Sequence, residues 1–251
     1  LVLEYSVIAT DSQSVDSLPQ VVTITITGTN DAPVASDDSV TTAENVVYNG
    51  VVPAATDVDD AIASYTLVDN VTSGTLLFNS TATPGSYQFD PGSDFDYLAV
   101  GESVNVTFTY YATDTFGDNS ATQTVTIAVT GSSEAAGIRV GGTDSASEGV
   151  TETDAALSVS GTLSVEDLDV TDTVSTSVSS VTVTGDDGGI ANADLLAMLS
   201  VDAGNVIDNA STTGTINWSF DSTPQAFNHL ADGEDLVLEY SVSATDSQSV
   251  D

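Results

Sequence analysis

The phrase LVLEYSVIATDSQSVD fills residues 1–16 and returns at residues 236–251 with a single change, Ser243 in place of Ile8. A self-contained fold has no need of such a return, so repetition is the first constraint on architecture. Two shorter offsets resolve it. LVLEYSVIATD (1–11) and QVVTITITG (20–28) match VNVTFTYYATD (104–114) and QTVTIAVTG (123–131), 103 residues later, while FDYLAVGE (95–102) matches FNHLADGE (227–234), 132 residues later. Together these make the long offset of 235, so the pattern is two diverged modules in alternation. Residues 30–131 are expected to form one module. Residues 132–251 are expected to form the other, without a counterpart of residues 17–29. Residues 1–29 then read as the closing strands of an earlier module, inside a longer array.

Within each module the pattern is that of strands. VVTITITG and TVTIAVTG alternate β-branched residues with Thr at period two, and turn clusters such as DTFGDNS break the chain at short intervals. Seven or so strands in ~100 residues predict an all-β antiparallel sandwich for each module. One exception, ANADLLAML (191–199), predicts a short helix with an Asn or Asp cap. Tyr87, Phe89, Phe95, Trp218 and Phe220 fall at matching places and are expected to fill the cores.

Charge narrows the function. There are 38 Asp and Glu against one basic residue, Arg139, for a formal net charge of −37. Internal ion pairs cannot neutralise such a chain, so its self-repulsion calls for salt or bound cations. A nucleic-acid partner is excluded, because nothing meets the phosphates. No stretch approaches the ~18 apolar residues of a membrane span, so this segment is expected to make no membrane contact. With no Lys, no Cys and one His, nucleophilic catalysis has little to work with, and no enzyme is expected. The absence of Cys also removes disulfides and thiolate metal sites.

The acids recur in register. Glu44 stands beside Glu152, Asp57 and Asp59 beside Asp167 and Asp169, Glu102 beside Glu234 in LAxGE, and Asp114 beside Asp11 and Asp246 in ATD; Asp31 lies in the joint TNDAPV. Taken singly, each can be a turn former through its own side chain. Taken together, hard oxygen ligands in loops rich in Asp, Asn and Gly are what Ca²⁺ requires.

The order L-x-x-G-E, EYSVxATD, VTITITGTNDAP resembles the cadherin signature. The first module is similar to the bacterial cadherin-like repeat through NDAPVASDDSVTTAEN and DVDD. The second resembles the VCBS repeat through VTETD, SGTLSVEDLD, INWSFD and ITGTNDAPV. The resemblance implies immunoglobulin-like Greek-key sandwiches in a rod-like array, with neighbouring repeats as partners and Ca²⁺ between them. It implies the extender region of a giant secreted adhesin of the RTX type, on the surface of a Gram-negative bacterium, serving adhesion and biofilm formation. A self-assembling filament or surface layer, and a carbohydrate- or peptide-binding module, are the competing readings.

Carried over by position, the resemblance nominates Glu44 and Glu102 above the joint between the two modules, with Asp167, Asp169 and Asp246 below it. At the joint preceding the first module it nominates Asn30, Asp31, Asp57, Asp59 and Asp114. Glu152 and Glu234, at the positions matching Glu44 and Glu102, are nominated as the corresponding metal ligands of the second module. The linker TGSSEAAGIRV lacks the Asn-Asp-x-Pro element, so Glu134 is its only acid and fewer ions or more bending are expected there. Arg139 either offsets a missing cation or sits on the surface. Finally, QVVTITITG of one chain is expected to complete the second module of another by head-to-tail strand exchange.

Overall fold

The structure is a computed structural model that describes residues 1–79 and 81–248; the last three residues of the returning phrase, 249–251, lie outside the described residues. The chain is nearly all-β. Strands β1 (Val2–Val7) and β2 (Gln20–Thr25) form an antiparallel hairpin in register from Val2 opposite Thr25 to Val7 opposite Gln20. Both strands are exposed along almost their whole length.

The next seven strands make two facing sheets. They are β3 (Asp38–Ala43), β4 (Tyr48–Val51), β5 (Ile62–Leu67), β6 (Thr75–Phe78), β7 (Ser86–Asp90), β8 (Ser103–Asp114) and β9 (Gln123–Thr130). One sheet runs β3-β9-β8-β5 and the other β4-β7-β6. Alternate residues of β8 and β9 point inward, and Phe108, Tyr110, Val125, Ile127 and Val129 are fully buried against Tyr87 and Phe89 of the facing sheet. The Tyr87 and Phe108 rings meet edge to face at 4.9 Å. Not every pair is antiparallel: β3 lies parallel to β9, from Asp38 opposite Val125 to Ala43 opposite Thr130. The chain enters this sandwich at one pole and leaves at the other, so its first and last strands run the same way.

A second pair of sheets follows, built from β10 (Gly137–Arg139), β11 (Ser158–Glu166), β12 (Val174–Thr184), helix α1 (Asn192–Leu196), β13 (Leu199–Val201), β14 (Asn205–Ile207), β15 (Thr213–Asp221) and β16 (Val237–Asp246). The sheets run β10-β11-β15-β13 and β14-β12-β16. One buried cluster gathers Leu163, Val165, Val174, Ile207 and Ile216; a second gathers Val181, Leu195, Met198 and Phe227. The aromatic residues are packing residues, as expected. Trp218 and Phe220 pack against these clusters, and the Trp218 indole donates to the Ser145 carbonyl at 2.9 Å.

The helix is shorter than its sequence suggests. It covers residues 192–196, begins at Ala191 without a side-chain cap, and gives way to β13 at Leu199. Leu195 and Met198 are drawn into the core. The apolar run thus serves one helical turn and then a strand.

Candidate metal centre

β8 and β16 set the geometry of the acidic loops. Each opens just after an LAxGE loop and closes on an ATD aspartate, so Glu102 and Asp114 stand at opposite ends of a strand of 12 residues, and Glu234 and Asp246 at opposite ends of one of 10. At ~3.3 Å per residue these ends are roughly 30–40 Å apart. Each sandwich therefore carries acids at both poles.

The local chemistry repeats. Asp114 Oδ1 accepts from the backbone N–H of Phe116, Gly117 and Asp118 at 2.9, 2.6 and 2.9 Å. Asp11 takes Gln13 and Val15 at 2.8 and 3.0 Å, and Asp246 takes Gln248 at 2.8 Å. The turn expected of an isolated Asp is real, and it uses one oxygen. Likewise Asp57 Oδ1 accepts from Asp59 and Asp60 N–H at 3.1 and 3.2 Å, and Asp167 Oδ1 from Asp169 N–H at 3.1 Å.

Between the sandwiches these loops converge on the linker. Glu44 Oε1 accepts from the Ser132 N–H at 2.6 Å and its hydroxyl at 2.7 Å. Glu134 Oε1 accepts from Asn45 Nδ2 at 2.9 Å, and the Glu134 N–H donates to Asp169 Oδ2 at 3.0 Å. Residues of both sandwiches are thus tied to one linker acid. Glu44, Asp167, Asp169, Asp172 and Asp246 are all at most 4% exposed.

What remains is a set of half-used carboxylates. Glu44 Oε2, Glu134 Oε2, Asp167 Oδ2, Asp169 Oδ1 and Asp172 Oδ2 are buried and receive no hydrogen bond, and so are Asp57 Oδ2 and Asp60 Oδ2 at the other pole of the first sandwich. A buried carboxylate oxygen without a donor is costly and calls for an explanation such as an ion. The electrostatics agree. Asp169 is pushed up to about 7 by burial, with the charges of Glu134, Asp172 and Asp167 adding to it against the relief given by the Glu134 N–H. Burial first, then Asp172, Asp246 and Glu134, raises Asp167. Burial first, then Asp246 and Glu102, raises Asp172. Acids of both sandwiches therefore repel one another across the joint.

The pole at residues 30 and 31 is looser. Asn30 Nδ2 stands between Asp114 Oδ2 and Asp118 Oδ2 at 2.8 and 2.7 Å, and this contact leads in holding Asp114 below its usual range. Asp59 is raised by desolvation, a hydrogen bond with Asp57, and the charges of Asp57 and Asp31. Asp31 and Asp59 are themselves exposed.

The positions chosen from the sequence thus divide into three places. Glu44, Glu102, Asp167, Asp169 and Asp246 gather at the joint between the sandwiches; Asn30, Asp31, Asp57, Asp59 and Asp114 gather at the preceding pole. Glu234 accepts from Ala231 N–H at 3.0 Å, just as Glu102 accepts from Ala99 at 3.3 Å, and Glu152 lies beside Asn228 in the second sandwich. Sequence reasoning missed Asp60, Asp118 and Asp172, although the runs DVDD and DLDVTD displayed two of them. The linker without Asn-Asp-x-Pro turns out to be the richer in buried acids, because Glu134 takes the bridging place. Arg139 is on the surface, paired with Glu166, and so leaves the joint without a cationic side chain. Among the described residues no three His, Cys, Asp or Glu side chains already converge as a ligand group.

No curated protein sequence matches the chain. Among solved structures, the extracellular cadherin domains 1-4 of Protocadherin Gamma B7 are similar at TM-score 0.41 and 13% identity, over 97% of this chain and 65% of that one. The D00-D0 domain of Intimin gives 0.31 and 14%, over 82% and 98%. A 2,6-sialyltransferase of Vibrionaceae Photobacterium sp. JT-ISH-224 gives 0.28 and 14%, over 39% of this chain and 18% of that one. Likenesses this remote bear on nothing beyond themselves. Among the described residues no helix is long and apolar enough to cross a membrane. The sandwich β3–β9, with the Asn30–Asp31 approach to it, is another matter: residues 30–131 match the bacterial cadherin-like domain.

Proposed function

We propose that the chain is a calcium-stiffened extender of a large secreted bacterial adhesin, a non-enzymatic spacer that holds a binding tip away from the cell surface. One observation carries this reading: at the joint, five acids each bury an oxygen that no donor reaches, in a chain with a single Lys or Arg. Glu44 and Glu102 of the first sandwich, Glu134 of the linker, and Asp167, Asp169, Asp172 and Asp246 of the second form the ligand set. Asn30, Asp31, Asp57, Asp59, Asp60 and Asp114 form the corresponding set at the preceding pole. Their oxygens suit Ca²⁺, which takes six to eight hard ligands in adaptable geometry. Calcium, when bound, supplies the positive charge that these acids lack.

The residues do the rest. Their turns hold one oxygen of each acid in place, and their neighbours exclude water, so that ion binding couples the loops of both sandwiches through Glu134. Sites of extracellular modules bind at ~10⁻⁴ to 10⁻³ M, a level found outside cells and not within them. The spacer is therefore pliant before export and stiff after it. Small-angle scattering of the chain in chelator and in millimolar Ca²⁺, with calorimetric titration, tests this. A longer maximum dimension and a higher melting temperature in Ca²⁺ are expected. Identical curves in the two conditions would sink the proposal.

A further inference from the structure

Arg139 is the one Lys or Arg in a chain with 38 Asp and Glu. The stretch around it, AAGIRVGGT (135–143), carries no other charge, and the nearest acids in sequence, Glu134 and Asp144, stand five positions away on either side. The structure puts this residue in the open. It ends β10, a strand at the edge of its sheet that pairs with β11 through three facing residues, from Gly137 opposite Glu166 to Arg139 opposite Ser164. Its side chain is 68% exposed, and Val140 after it is 62% exposed. The ion pair with Glu166 lies on the surface, where such a pair holds weakly.

These are the properties that an endoprotease selective for basic residues requires. Such an enzyme seats the cationic side chain in an acidic pocket and takes the flanking chain as an extended strand, through backbone pairing along a free edge. Gly137–Arg139 is already extended, with β11 on one side of it. Beyond Arg139 the chain bends, and the Gly141 N–H donates to Asp144 Oδ2 at 2.6 Å. That bend has to open for the enzyme, and an edge held by so few pairs is where a folded chain opens at low cost. Nowhere else does the sequence offer a basic side chain, and its many carboxylates are repelled by an acidic pocket.

We propose that the Arg139–Val140 bond is a processing site for an endoprotease of trypsin-like specificity. In the cut, water gives its hydroxyl to the Arg139 carbonyl carbon and a hydrogen to the Val140 nitrogen. The C–N bond breaks, and the proton of the new carboxyl group passes to the new amine. The bond is placed where its loss matters. Glu44 and Glu134 precede it, while Asp167, Asp169 and Asp172 follow it. A cut therefore leaves the two sandwiches held by noncovalent contacts alone, among them the three facing pairs of β10 with β11 and the Glu134 N–H on Asp169. In a spacer under load this is a release point. That consequence rests on the spacer reading; the cut itself does not.

The test is limited digestion of the whole folded 251-residue chain by trypsin, in millimolar Ca²⁺ and in chelator, read by intact mass. The peptide EAAGIRVGGTD (residues 134–144) serves as the fully open reference. One cut is expected in both buffers, giving residues 1–139 and 140–251. Cleavage that waits for global unfolding would be slower than that of the peptide by about 10³-fold or more, so a rate within ~100-fold of the peptide marks a site open in the folded chain. Arg139→Lys should be cut at the same bond, and Arg139→Gln should stay whole. A chain that survives in either buffer while the peptide is cut would overturn the proposal. So would a cut no faster than unfolding, measured on the same sample by loss of its β-sheet circular dichroism.

Discussion

At the residue scale, the telling unit is the carboxylate with one oxygen engaged and one buried without a donor, as in Asp169, whose Oδ2 holds the Glu134 N–H. Asp169→Asn keeps that acceptor and removes the charge. In chelator near pH 8 the variant should melt higher than the parent, by about 2–4 °C if relief of repulsion is worth ~1 kcal/mol. In millimolar Ca²⁺ it should melt lower, since a ligand is gone; scanning calorimetry in both buffers reads the crossing. Burial, with the same repulsion added to it, sets a pH dependence in chelator. Asp167, Asp169 and Asp172 are raised above the ordinary 3.8, Asp169 to about 7. The folded state thus holds their protons more tightly than the unfolded, so stability present below ~4 is lost as pH rises toward 7. Metal-free protein should melt higher at pH 5 than at pH 8. These acids were legible by their recurrence, Asp57 with Asp167, Glu44 with Glu152 and Glu102 with Glu234. Asp172 and Asp118 were not, because neither has a counterpart in the other module, and a position without an echo offers a repeat search nothing to compare.

At the element scale, β8 decides the first sandwich. Its alternation places Val106, Phe108, Tyr110 and Ala112 inside. Phe108→Ala should cost ~3–5 kcal/mol, read as a lowered urea midpoint, because a cavity opens against Tyr87 and Phe78. Tyr110→Phe should cost only ~1 kcal/mol, the worth of its hydroxyl's bond to the Ser36 carbonyl at 2.7 Å. The strands VTFTYYATD and TVTIAVTG were readable because period two fixes which side chains face the core. ANADLLAML misled on length, since an apolar run of that size suits a helix or a turn followed by a strand. The parallel pairing of β3 with β9 was not readable either. It depends on where distant segments meet, and local alternation carries no information about that.

At the scale of the whole molecule, charge and direction matter most. A chain of −37 with the burial seen at Glu44 and Asp169 should remain extended at low ionic strength and draw in as monovalent salt rises, while Ca²⁺ should stiffen it at concentrations too low to screen. Light scattering across matched series of NaCl and CaCl₂ separates the two. The parallel pairing then gains a meaning for a tether under load. Tension applied at the two ends of residues 30–131 pulls β3 and β9 in opposite senses along their common axis. All six facing pairs between Asp38–Ala43 and Val125–Thr130 resist together in shear. An antiparallel arrangement of the same two strands would let them peel apart one pair at a time. In the spacer proposed above, the first sandwich should therefore yield at a higher pulling force than such an antiparallel arrangement.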